Sequence, residues 1–115
     1  MVGVDIYSSM AAHVVTFKNM QEFFQKMKER DPDMIRKMAK TVIHAVNTNR
    51  KKIDVFQVIF STTGEYIFTL DSDQYLNCLR NCMEDMIKIE EYELCSQIRD
   101  ILQKEEKKTK KVLQY

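Results

Sequence analysis

The residues best suited to chemistry in this chain of 115 lie between positions 78 and 100. Glu90, Glu91 and Glu93 cluster together, and Arg99 and Asp100 follow. Clustered carboxylates can hold a divalent cation or divide acid and base roles, but both uses need a His or a second carboxylate on a facing element. The sequence supplies none at a suitable spacing, so a solvated turn is the better reading. Cys78 and Cys82 stand one helical turn apart and could offer two soft ligands to zinc. A structural zinc site takes four ligands, and His13 and His44 are far off in sequence. With Cys95 the thiols number three. An odd count of Cys fits a reducing compartment and small core residues better than a metal or redox centre. His44, beyond Lys40 on the polar side of a helix, reads as a surface residue.

Other catalytic patterns are missing. The two Gly, at 3 and 64, cannot build a phosphate-cradling loop, and no HExxH, paired CxxC or GxSxG occurs. The expectation is a protein that is not an enzyme and has no cofactor and no metal.

The elements that must position these residues follow from apolar spacing. The first ten residues read as a weak lead-in strand or coil, and 12–17 (AHVVTF) as a short strand. Asn19 is a plausible N-cap for a helix to about Arg30, with Met20, Phe23, Phe24 and Met27 on one face. Asp31-Pro32-Asp33 stops it and starts a second helix, about Pro32 to Asn47, striped by Ile35, Met38, Ala39, Val42, Ile43 and Val46. Residues 53–61 and 65–70 read as strands of a hairpin, turned at Ser61-Thr62-Thr63-Gly64. Strict alternation puts Val55 and Ile59 on one face and Phe56, Val58 and Phe60 on the other, as in a central strand covered on both sides or covered on one by a partner. Val55, Ile59 and Phe68 are expected to be buried. Asp71-Ser72-Asp73 caps a third helix, and residues 73–104 form an αα-hairpin before a charged tail, 105–115. The expected fold is a single α+β domain of order β-α-α-β-β-α-α, a small antiparallel sheet covered by helices.

The run from Leu79 to Leu102 resembles the UVR motif, the helical hairpin of UvrB and UvrC in nucleotide-excision repair. Leu79 and Met83 match its first helix, Glu91-Tyr92-Glu93 its turn and Ile98-Arg99-Asp100 its end. Cys95-Ser96 stand where Ala-Ala is usual. The likeness covers about the last third of the chain, and nothing else looks like a helicase, nuclease or ATPase. It implies an antiparallel helical hairpin used for protein–protein contact. Arg99 could fork to Glu91 or Glu93 and lock the two helices, or reach a partner. The residues expected at a protein contact are Met83, Met86, Ile87, Tyr92, Glu93 and Arg99.

Charge adds a second candidate surface. The net charge is +1, but residues 18–52 hold ten Lys or Arg against four Asp or Glu, a local +6, while residues 53–103 hold three against ten, a local −7. Arg36, Lys37 and Lys40 on the second helix, with Arg50, Lys51 and Lys52 after it, could contact phosphates in a salt-dependent, sequence-independent way. No RNP-like pattern supports base stacking by the aromatic residues of the β-hairpin. With 44% hydrophobic residues, 30% charged residues and no apolar run of transmembrane length, the chain reads as globular, cytoplasmic and off the membrane. The favoured function is a small adaptor or regulator that binds a protein partner, or a second copy of itself, through the terminal hairpin. Its size and Met content suit a bacterial or phage regulator. The alternative is a nucleic-acid-binding regulator.

Overall fold

The computed structural model describes residues 12–61 and 64–113, with side chains through Lys108. The lead-in at 1–10, Thr62 and Thr63 of the β-turn, and the last two residues lie outside that range. Seven main elements follow one another: β1 (His13–Phe17), α1 (Met20–Lys28), α2 (Pro32–Asn47), β2 (Lys52–Phe60), β3 (Glu65–Asp71), α3 (Tyr75–Lys88) and α4 (Tyr92–Leu113), with a 3-10 turn at Ser72–Gln74. The class is α+β, and the last two helices form the expected hairpin.

Local chemistry starts the first two helices. The Asn19 side chain accepts from the Glu22 N–H at 3.0 Å, and the Asp31 side chain accepts from the Met34 N–H at 3.2 Å. Each occupies a backbone donor that the helix itself leaves unmatched. Pro32 sits in the first turn of α2, where its missing N–H costs nothing. The helices α1, α2 and α3 end alike. Arg30, Asn49 and Glu90 take left-handed φ values of 58°, 55° and 61°. In each case the next N–H reaches back to a carbonyl one turn inside the helix: Asp31 to Lys26, Arg50 to Ala45 and Glu91 to Met86. These are Schellman stops built without glycine.

The sheet order is β1-β2-β3. β2 and β3 are antiparallel, but β1 pairs with β2 in parallel, His13 with Phe56 through Phe17 with Phe60. The sheet is therefore mixed rather than antiparallel. The two helices between β1 and β2 form the crossover that a parallel pair requires.

Alternation along β2 is broken by a bulge. Asp54 pairs with Thr69 and Phe56 with Phe68, so Val55 is an extra residue. The side-chain period of 2 slips by one there. Ile53 and Val55 before the bulge, and Phe56 and Val58 after it, all enter the core. Ile59 falls on the opposite face and is 38% exposed, against the expectation of burial, and Phe68 is only partly buried. The helices thus cover one face of the sheet. Val14, Ile59 and Ile67 lie on the other, exposed among the described residues.

The core centres on Phe23 of α1, whose ring lies 5.8–6.1 Å from those of Phe17, Phe56, Tyr66 and Phe68. Behind it, α2 lies between the sheet and the terminal hairpin and buries Ile35, Met38, Ala39 and Val42. The hairpin adds Leu79, Cys82, Met86, Leu94, Ile98 and Ile101 to the same cluster. α4 continues unbroken to Leu113, so the segment expected to leave the helix as a charged tail extends it.

Candidate interaction surface

The turn of the terminal hairpin consists of Ile89, Glu90 and Glu91. Glu90 in the left-handed region ends α3, and the Cys95 N–H donates to the Glu91 carbonyl at 3.1 Å to begin α4. Such a sharp reversal leaves the residues beside it with few neighbours. Ile87 is 50% exposed and Tyr92 63% exposed, one on each side of the turn. Met83 is half-buried and packs on the core.

Met86 belongs elsewhere. It is fully buried between the hairpin and the body of the protein, so it is a core residue and not part of a contact surface. The stripe that identified it as apolar could not tell which edge of the stripe faces inward.

Two arginines from outside the hairpin fix its turn end. Arg30 grips Asp85 of α3 through Nε at 3.0 Å and a terminal nitrogen at 2.6 Å. Arg36 of α2 donates to Glu91 at 2.8 Å and also lies 3.4 Å from Asp33. Planar guanidinium groups hold carboxylates directionally, so these pairs set the tilt of the hairpin against α2 as well as adding energy. Each joins residues 55 positions apart, a partnership that spacing along a helix cannot reveal.

Arg99 does not form the expected lock. It donates to Ser96 Oγ at 3.2 Å and stands 3.9 Å from the adjacent Asp100, with its side chain 56% exposed. Glu91 is taken by Arg36. Glu93 is exposed and lines a shallow groove of about 470 Å³ with Lys40, His44 and Gln97.

The basic candidates separate into two groups. Arg36 and Lys37 are engaged with carboxylates, Lys37 with Asp33 at 3.0 Å. That contact holds the exposed Asp33 carboxyl below its usual range. Arg50 and Lys52 line a different, smaller depression with His44 and Asp54. Burial and then the charge of Lys37 hold the His13 imidazole below its ordinary value. Of the six, Arg36 and Lys37 are therefore already engaged with carboxylates.

Three sulfurs gather on the inner side of α3. Cys78 Sγ lies 3.3 Å from Met38 Sδ of α2 and 4.0 Å from Cys82 Sγ. The hydrogen bond between the thiols draws the Cys78 ionisation down, and the same bond together with burial pushes Cys82 up. Cys95 sits apart, its Sγ 4.0 Å from the Met83 carbonyl. Among the described residues there is no group of three His, Cys, Asp or Glu able to hold a metal ion, and no helix long and apolar enough to cross a membrane. No protein-family model, no curated protein and no solved structure matches the chain.

Proposed function

We propose that this chain is a non-enzymatic adaptor that captures a protein partner with the turn end of its terminal hairpin. The observation that carries the reading is the exposure of Ile87 and Tyr92 on either side of a fixed turn. A lone exposed apolar side chain is ordinary on a protein surface. Two of them five positions apart across one tight turn, interspersed with the exposed Lys88, Glu90 and Glu93, have the composition of a small apolar centre with a polar rim. Covering the part of each that is still exposed stabilises a complex by roughly 1 kcal/mol or somewhat more before the costs of association. The UVR-like Glu91-Tyr92-Glu93 sequence falls on the same turn and points the same way. The ion pairs of Arg30 and Arg36 hold the protrusion in place, so little ordering cost remains at binding.

The nucleic-acid alternative has less support, since Arg36 and Lys37 are already engaged with carboxylates.

A photo-crosslinking amino acid placed at Tyr92 in the source cells tests the reading. A discrete protein adduct is expected, lost when Ile87→Ser is added and absent when the crosslinker stands at the exposed Lys28 instead. Adducts equal at both positions, or adducts only to nucleic acid, overturn it. Sedimentation of the purified chain shows whether the captured protein is a second copy.

A further inference from the structure

We propose that Cys78, Cys82 and Met38 form a binding site for a soft monovalent metal ion, Cu(I), held by two thiolates and a thioether. The proposal is independent of the hairpin-tip reading. It rests on geometry that neither element shows alone: α3 presents two thiols one turn apart, and α2 places a thioether against the first of them. Two sulfurs each about 2.3 Å from a shared ion and about 120° apart stand about 4.0 Å from each other. Cys78 Sγ and Cys82 Sγ already have that separation, 4.0 Å. The Met38 contact, at 3.3 Å, has to lengthen by roughly 0.7 Å to match, a movement within reach of its flexible side chain.

Ligand type selects the ion. Thiolate and thioether donors favour Cu(I), whereas zinc takes Cys, His and carboxylates and calls for a fourth ligand. Met38 and Cys82 are buried and Cys78 is partly exposed, so an ion would enter past Cys78. Binding releases one proton from each thiol and leaves one net negative charge on the site. No electron is transferred, because copper enters already reduced.

The test is a titration of the full reduced chain, without oxygen, against the Cu(I)–bicinchoninate complex. One equivalent of copper should be withdrawn, and X-ray absorption should show three sulfurs at about 2.3 Å. Cys78→Ser, at the partly exposed position, should weaken binding by at least about 100-fold, the upper end of what loss of a merely outer contact costs. Met38→Leu, which keeps the volume, should weaken it about 10-fold, the lower end of that range. Cys95→Ser should change nothing. Zn(II) offered at the same concentration should not displace the copper. No withdrawal of copper, equal affinity in Cys78→Ser, or dependence on Cys95 overturns the proposal. Should Cys78→Ser fail to fold, unchanged affinity in Met38→Leu does so.

Discussion

Met86 and Ile87 are neighbours on one helix, both large and apolar, yet one is fully buried and the other half exposed. The difference separates two parts of the terminal hairpin. Its inner face, with Leu79, Cys82, Met86 and Ile98, completes the core that α2 shares with the sheet. Ile87 and Tyr92, at its turn end, stay outside that core, although Ile89 between them packs against it. Apolar content alone therefore does not mark a recognition surface. What marks it is apolar content that the fold leaves uncovered although the backbone there is held firmly.

The largest test of this contrast is truncation of the inner face. Met86→Ala should cost about 2–5 kcal/mol, the range for a buried Met reduced to a methyl group, measured by urea unfolding. The double change Ile87→Ser with Tyr92→Ser should leave the midpoint nearly unmoved. A double change as costly as Met86→Ala would make the turn end part of the core.

The second test concerns how the turn end is held. Asp85→Asn keeps the shape but weakens a charge-assisted contact with Arg30, and should cost roughly 1–2 kcal/mol. Part of the pair is open to solvent, which keeps the value at the lower end. The backbone at Glu90 tests the same region with the opposite sign. A non-glycine residue at φ 61° is strained, so Glu90→Gly should stabilise the chain by roughly 0.5–1 kcal/mol. A destabilised Glu90→Gly would show that the Glu90 side chain does more than cap the helix. The smallest effect is expected for Arg99→Ala, within about 0.5 kcal/mol, since its contacts stay on the surface of α4. A loss above about 1 kcal/mol would restore it as a lock.

Much of the fold was legible because helix periods and caps are local. Asn19 and Asp31 cap the helices the sequence assigns to them, and the stripe from Ile35 to Val46 packs as its spacing implies. The bulge at Val55 was not legible. No glycine announces it, and the run Val55-Phe56 reads equally well as two faces or as one slipped face. Nor was the direction of β1, because a five-residue strand carries no mark of parallel or antiparallel pairing. At the candidate site, Ile87, Tyr92 and Glu93 lie exposed. Met86 does not, since a stripe has a centre and two edges and only tertiary packing decides which edge is closed. The role of Arg30 is hidden in the sequence. Its partner Asp85 lies across the fold, and the hint available was an Arg placed just where a helix stops. The Met38 stripe position likewise marks only a core residue, since its closeness to Cys78 arises from the packing of α2 on α3.

The parallel pairing of β1 has a consequence for the order of folding. His13 meets Phe56, 43 positions later (56 − 13), whereas β2 and β3 are joined by a short turn. Local hairpins close in about 1–10 μs, but the closure that brings β1 home spans α1 and α2 and is entropically later. β1 should then stabilise the finished fold without speeding its formation. Val15→Ala is expected to accelerate unfolding and leave refolding nearly unchanged; refolding slowed in proportion to the lost stability would place β1 in the nucleus instead. A chain halted just before that step carries β2 with one edge unpaired and Phe56 and Val58 incompletely covered, which makes it the stage at which this protein is most exposed to aggregation.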